Sequence, residues 1–356
     1  MKIAIVLGTR PEIIKLAPII KKLGPKRSTV IFTGQHYDFQ MGRQFIQELE
    51  LPKPNYSLKI SKSTPQIQIS EIINKLSKIL SKEKPDSVMV QGDTNTVLAA
   101  GICSIKSNIP ITHVESGLRS NDWRMPEEHN RIAIDHLSEI LFAPTLNAKK
   151  NLLSESVHGK IHVTGNTAID AISIYSKISE KKSKLSIDFE EFILFTLHRA
   201  ENVDDKKILS SIINGIINSE EKIIFPIHPR TKKRLIEFNL FKKLQNNKNF
   251  GIYDSLGYFD MLELMKKCSL IVTDSGGIQE ESTAPIIRKK VLVVRKTTDR
   301  PEAVDSKMAE VIGTNQKIIT QKIKKSINNP SVLPRNAPYG KGLATSKIIK
   351  ILTKNY

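Results

Sequence analysis

A chain of 356 residues, 39% of them apolar and only two of them cysteine (Cys103 and Cys268), is long enough for two domains and too poor in cysteine for a disulfide framework. Its formal net charge of +19 invites a polyanion-binding reading, but the lysines are spread along the whole chain. Basic runs such as Lys181-Lys182-Ser183-Lys184 are short and carry no interleaved aromatics, so a solvated basic surface explains them better than nucleic-acid binding does.

No apolar stretch approaches the roughly 20 residues that cross a bilayer. The run Met1 to Gly8 is too short for a signal-peptide core, lacks a small-residue cleavage site and reads as a buried strand. A cytoplasmic protein without a membrane partner is expected.

Short β-branched runs alternate with amphipathic helical patterns, the mark of parallel sheets covered by helices. Strands are predicted at Lys2 to Leu7, Val30 to Thr33, Ser87 to Gln91, Ile111 to Val114, Ile140 to Ala143 and Ile161 to Val163. The first helix follows from Thr9 as cap, Pro11 in the first turn, an apolar face of Ile13, Leu16, Ala17, Ile20 and Leu23, and Gly24 as terminator. After a Lys/Ser-rich stretch at about Ser176 to Ser186 a second series begins, with strands at Phe192 to Leu197, Lys222 to Ile227, Leu270 to Thr273 and Val291 to Arg295. A helix around Thr345 to Leu352 could return to the first half. The expected architecture is α/β, with two Rossmann-like domains facing across a cleft. The first covers residues 1–170, with the helix at about 343–356 packed back on it, and the second covers 171–342. Ligand is expected at the carboxyl ends of the strands.

Polar residues cluster at those ends. In the first half the strands run into Gly8-Thr9-Arg10-Pro11-Glu12, Gln91-Gly92-Asp93-Thr94-Asn95 and His113-Val114-Glu115-Ser116-Gly117, and Pro126-Glu127-Glu128 opens a helix. Asp93, Glu115 and Glu127 could converge beside Arg10, although each alone could equally be a cap or surface group. The second half offers His198-Arg199, His228-Pro229-Arg230 and Asp274-Ser275-Gly276-Gly277, the last opening a helix that carries Glu280 and Glu281. Glycines between strand and helix leave N–H groups free for phosphate, so Ser275 to Gly277 reads as a diphosphate seat, although a tight turn is the plainer alternative for an isolated Ser-Gly-Gly. Glu281 is placed to grip a ribose hydroxyl, and Arg300 is a further anchor.

Several chemistries lack their residues. No GxGxxG follows the first strand, no Walker loop, HExxH or DxD occurs, and the eight histidines lack metal-ligand spacing. The chemistry is therefore expected to run on carboxylates, His, Arg and main-chain dipoles, with no cofactor and no metal.

In their order, Gly8-to-Glu12, Gln91-to-Asn95, His113-to-Arg119, Met125-to-Glu128, Gly165-Asn166-Thr167, His198-Arg199, Thr273-to-Glu281 and Arg300-Pro301-Glu302 closely resemble the non-hydrolysing UDP-N-acetylglucosamine 2-epimerases. The resemblance runs from Met1 nearly to the end. It implies a fold of the glycosyltransferase-B type, commonly dimeric, that interconverts UDP-N-acetylglucosamine and UDP-N-acetylmannosamine without a nicotinamide. By the same resemblance, Arg10, Lys15, Asp93, Glu115 and His198 match substrate-contact or catalytic positions and Glu127 a third acidic one. Ser275, Gly276, Gly277, Glu281 and Arg300 match the UDP site, and Gln35, His36, Arg199 and His228 lie near a second, regulatory substrate site. The sequence departs at Leu256, where relatives often place a glutamine near uracil, at Met261, where phenylalanine is common, and at Asn74, where bacterial members carry a regulatory arginine.

The C2 proton of such a sugar has no adjacent carbonyl, so breaking the C1–O bond to UDP must come early to acidify it. Elimination to a 2-acetamidoglucal, then re-addition of UDP with a proton delivered to the other face, fits the residues. The alternatives are a C2 epimerase of another UDP-acetamido sugar such as a diacetamido uronic acid, a hydrolysing relative, a glycosyltransferase of the same fold, and an inactive nucleotide-sugar sensor.

Overall fold

The computed structural model describes residues 1–34, 45–61, 63–330 and 332–356. They divide into two compact units, Met1–Ala171 with Gly340–Tyr356, and Ile172–Tyr339. The division falls inside the Thr167–Tyr175 helix. The Lys/Ser-rich stretch beyond it belongs to the second unit, where Ser179 is buried and donates to Glu263.

The first unit holds a seven-stranded parallel sheet of β1 (Ile3–Leu7), β2 (Ser28–Phe32), β3 (Tyr56–Ser57), β4 (Ser87–Gln91), β5 (Ile111–Val114), β6 (Ile140–Ala143) and β7 (Lys160–Val163), in the order β3-β2-β1-β4-β5-β6-β7. The second holds a six-stranded parallel sheet of β8 (Ile193–Thr196), β9 (Ile223–Pro226), β10 (Phe250–Tyr253), β11 (Leu270–Thr273), β12 (Val291–Val293) and β13 (Ala309–Val311), in the order β10-β9-β8-β11-β12-β13. Both architectures follow from the same sequence logic. The inner strands are unbroken apolar runs because helices cover both faces of a parallel sheet, as the fully buried β1, β4 and β8 show.

Each sheet reverses its winding once, between β1 and β4 in the first unit and between β8 and β11 in the second. At such a switch point the loops diverge above and below the sheet and leave a crevice at the strands' carboxyl ends. Behind each crevice lies an apolar core. In the first unit Val6, Ile31, Val88, Ile72, Leu76, Val97 and Ile134 pack together; in the second Phe195, Phe225, Ile212, Val272 and Ile319 do, with the two phenylalanine rings 4.6 Å apart.

Three strands went unpredicted: β3, β10 and β13. All are sheet edges, two or four residues long or broken by a charge, so they carry little of the apolar periodicity that marks the inner strands. The last helix runs Ala344–Asn355 and belongs to the first unit, where it packs on the Arg10–Leu23 helix. Asp170 caps it, accepting the N–H of Ala344 at 3.1 Å and of Thr345 at 2.8 Å, and Lys22 donates to Ser346 at 3.0 Å. No helix among the described residues is long and apolar enough to cross a membrane.

Gly117, just after β5, has a φ of 81° and a Cβ there would meet the Ala148 carbonyl oxygen at 2.3 Å and Leu152 Cγ at 2.8 Å. Neither backbone nor the buried Leu152 can withdraw without disturbing the Leu146–Ser154 helix. Gly117→Ala is therefore expected to lower the unfolding free energy by about 2 kcal/mol or more. Urea denaturation measures it, and an unchanged midpoint would contradict this packing.

Candidate functional site

In the first unit the switch point is built around Glu12, the third residue of the Arg10–Leu23 helix. The Thr9-Arg10-Pro11-Glu12 spacing is a capping box, and the side chain turns back to accept from the N–H groups of Gly8 and Thr9, the latter at 3.0 Å. Its other oxygen accepts from the Thr94 hydroxyl at 2.5 Å, across the crevice in the loop after β4. Glu12 is 1% exposed. Burial pushes its carboxyl up to about 7, against the opposing hydrogen bonds from Thr94, Gly8 and Thr9 and with a further upward push from the charge of Asp93.

Asp93 stands one residue before Thr94. Its side chain pairs with Arg131 and its carbonyl oxygen accepts from Asn130 at 2.9 Å, both from the Pro126–Leu137 helix. Glu115 follows β5, which pairs with β4 in the register Gln91↔Val114. Its backbone is left-handed, with a φ of 70°, a cost of about 1–3 kcal/mol that a non-glycine residue bears only where the surroundings fix it. Lys15, one turn beyond Glu12, lies 2.5 Å from the Glu115 carboxylate, and both side chains are nearly buried. Arg10 lies over the Phe45 ring at 4.2 Å.

Glu127 occupies the exposed first turn of the Pro126–Leu137 helix, one turn before Arg131. Its neighbour Glu128 is buried and structural. It accepts from the backbone of Ser120 and Asn121 at 3.0–3.1 Å and pairs with Arg131 at 3.1 Å. A second buried carboxylate, Asp135, holds the β5 end. It lies 2.7 Å from His113 Nδ1, accepts the Gly117 N–H at 3.0 Å and pairs with Arg119 at 2.8 Å, while His113 Nε2 lies 2.9 Å from the Gly92 carbonyl oxygen. The first unit thus places Arg10, Lys15, Asp93 and Glu115 at adjoining strand ends, with Glu127 on the helix that grips the Asp93 loop.

In the second unit Asp274, fully buried after β11, plays the part that Glu12 plays in the first. It accepts the N–H of His198 at 3.1 Å, the N–H of Arg199 at 2.8 Å and the Asn202 amide at 3.1 Å, so it ties the loop after β8 to the end of β11. Burial lowers the His198 imidazole below the usual histidine range, which Asp274 only partly offsets, so the ring is neutral at neutral pH. The His198 and His228 rings lie 5.8 Å apart, so the two candidate regulatory residues described here, Arg199 and His228, sit beside candidate catalytic His198. Gln35 and His36 fall outside the described residues.

Ser275 precedes the short Gly276–Glu281 helix. A Cβ on Gly276 would touch Asp299 and Arg300 only at 3.5 and 3.6 Å, one on Gly277 only the Ser275 hydroxyl at 3.9 Å, and neither glycine has a left-handed φ. Among the described residues no atom would crowd a Cβ at either glycine, so there is room for a ligand beside them. Arg300 is held beside Gly276 by Glu280 at 2.5 Å and Asp299 at 3.0 Å. Burial raises the Asp299 carboxyl, but Arg300 and Arg295 outweigh it and keep the group well below the ordinary carboxylate range. Glu281, half-buried, lies on the turn that follows the two glycines. Among the described residues no group of three or more His, Cys, Asp or Glu is placed to hold a metal ion.

The family model described as UDP-N-acetylglucosamine 2-epimerase matches residues 21–353. The chain belongs to this family. A UDP-N-acetylglucosamine 2-epimerase of Methanocaldococcus jannaschii is 45% identical over 368 residues, covering 99% of each chain. The crystal structure of the Methanocaldococcus jannaschii UDP-GlcNAc 2-epimerase in complex with UDP-GlcNAc and UDP matches with a TM-score of 0.88 at 44% identity, covering 99% of this chain and 100% of that one. A UDP-2,3-diacetamido-2,3-dideoxy-D-glucuronate 2-epimerase of Pseudomonas aeruginosa is 34% identical, covering 99% of this chain and 100% of its own. The 2-epimerase family and a parallel-sheet architecture of the glycosyltransferase-B type are therefore established for this chain.

The sequence left the buried acids of this 2-epimerase without roles, although the Thr-x-x-Glu spacing of a capping box marks Glu12 and the strand-end position marks Asp274. Replacing Asp274 by Asn puts an amide N–H against the donors it now serves. It is expected to cost about 1–3 kcal/mol and, by removing a negative neighbour, to move the His198 titration still lower. NMR of the histidine ring protons reads that shift, and an upward movement would contradict the arrangement.

Proposed function

We propose that this protein interconverts UDP-N-acetylglucosamine and UDP-N-acetylmannosamine by eliminating and re-adding UDP. The observation that carries the reading is the pairing at the first-unit switch point: two carboxylates, Asp93 and Glu115, each fixed by its own cation, Arg131 and Lys15. Fixed carboxylates are what C2 proton transfer needs, and their placement costs no reorganisation during reaction.

In this reading Ser275, Gly276, Gly277, Glu281 and Arg300 hold UDP, and neutral His198 donates a hydrogen bond to the departing diphosphate, with Arg10 and Lys15 adding positive charge on the sugar side. The C1–O bond breaks with its electron pair leaving on the β-phosphoryl oxygen. One carboxylate of Asp93, Glu115 and Glu127 takes the C2 proton, and the C–H electrons form the C1–C2 double bond of a 2-acetamidoglucal. Protonation of C2 from the opposite face and return of the UDP oxygen to C1 complete the inversion. Because a proton moves rather than a hydride, the cycle is redox-neutral and asks for no nicotinamide. The protein is taken to act in the cytoplasm as a homodimer.

Identity favours this sugar over the diacetamido uronic acid, since relatives named for UDP-N-acetylglucosamine reach 45 and 44% against 34% for the uronate epimerase.

Incubation with UDP-N-acetylglucosamine in deuterated water is expected to give UDP-N-acetylmannosamine carrying deuterium at C2 with nothing added, read by proton NMR. Asp93→Asn, Glu115→Gln and Glu127→Gln are each expected to slow turnover by about 10²–10⁴-fold. Glu127 is exposed, so its replacement leaves the fold intact. Release of free N-acetylmannosamine would instead indicate hydrolysis, and an unchanged spectrum from folded protein would reject this substrate.

A further inference from the structure

Glu12 is absorbed by none of the steps above, yet it is among the most constrained acids in the chain. One carboxylate oxygen accepts from Gly8 and Thr9 and the other from Thr94, 82 residues away. The first loop carries Arg10 and the second carries Asp93. Between them runs the β1–β4 boundary, where, among the described residues, the backbone itself offers no hydrogen bond from one loop to the other beyond the strand pairing Ile3↔Ser87 to Ile5↔Met89. A carboxylate is suited to close that gap, since it accepts on both oxygens and donates on neither.

We infer that Glu12 is a positioning residue: it clamps the Arg10 loop to the Asp93 loop, and so fixes the spacing between a substrate-binding cation and a catalytic carboxylate. The inference rests on the proposed epimerase reading for its kinetic consequence, and on the hydrogen bonds alone for its structural one. A simple fold staple predicts something different. Burial raises the Glu12 carboxyl from its ordinary value of 4.5 to about 7. The folded chain therefore loses stability as pH rises between those values, where the unfolded chain has ionised and the folded one has not, and the cost is complete above about 7. The charge that acts on it is that of Asp93 from the β4 loop, itself paired with Arg131; Arg10 and Lys15 lie on its own helix, the latter paired with Glu115.

The test compares Glu12→Gln, Thr94→Val and Thr94→Ser with the wild type in three measurements: turnover, thermal unfolding at pH 8, and amide hydrogen exchange of residues 8–12 and 92–96. In Glu12→Gln the amide oxygen accepts on one side only. The NH₂ can hold Thr94 only by donating to a hydroxyl oxygen that already accepts from the Val97 N–H, which turns the hydroxyl proton away and shifts the loop. Accordingly kcat is expected to fall about 10- to 100-fold, as a misplacement near 1 Å costs, while UDP titrated alone binds with unchanged Kd. Thr94→Val should behave like it and Thr94→Ser like the wild type. Exchange should rise in both segments together, and the melting temperature of Glu12→Gln at pH 8 should not fall. The wild-type rate should decline as pH drops through about 7, where protonation removes an acceptor, and the Gln variant should lack that limb.

Turnover within twofold of wild type, or exchange raised in one segment only, would overturn the clamp. So would a loss of stability that parallels the loss of rate. A wild type inert toward the sugar nucleotide refutes the epimerase reading instead, and the exchange data still decide whether the two loops are joined.

Discussion

Everything at the two strand-end sites depends on carboxylates buried beneath them. Glu12 and Asp274 each sit where a parallel sheet reverses its winding, the place where adjacent loops diverge and the backbone ladder stops helping. Burying a charge there is costly unless donors surround it. Gly8, Thr9 and Thr94 surround one, and His198, Arg199 and Asn202 the other. The donors are the loops that carry the candidate functional side chains, so satisfying the acid also orders those loops. Asp135 repeats the device at the end of β5, where it grips His113, Gly117 and Arg119.

The two units frame different side chains with this device. The first presents carboxylates backed by cations, Asp93 by Arg131 and Glu115 by Lys15, and Glu115 stands on left-handed backbone. The second presents two glycines at which no described residue would crowd a Cβ, beside an arginine held by two acids. Under the proposed reaction that is a division between moving a proton and holding a leaving group. The neutral His198 fits the second task, since an uncharged donor can follow the diphosphate without fixing it so tightly that it fails to return to C1.

The inner strands were legible because a parallel sheet buried on both faces writes itself as unbroken apolar runs: β4, β5, β6 and β11 lie where the sequence places them. Three of the four edge strands, β3, β10 and β13, escape that rule, while the fourth, β7, lies where Ile161 to Val163 places it. The family was readable from the order of its motifs, though no single motif would have sufficed. What sequence could not distinguish was which acid in a motif is structural. Glu127 and Glu128 are adjacent and identical in type, and only helical phase decides that one is exposed while the other is buried under the Ser120-Asn121 turn. Asp274 and the Arg131–Asp93 pair were equally silent, because those partners lie 38 to 76 residues apart and no local pattern announces a contact of that range.

The central claim is that the bond between sugar and UDP breaks and re-forms during each inversion at C2. It is tested most directly with UDP-N-acetylglucosamine labelled with ¹⁸O in the bridge between C1 and the β-phosphorus. Cleavage frees the β-phosphoryl group to rotate before UDP returns, so ³¹P NMR should show the label moving to non-bridging positions as deuterium enters C2. Deuterium entering C2 while the label stays in the bridge would show that the proton leaves without C1–O cleavage, and would contradict the account.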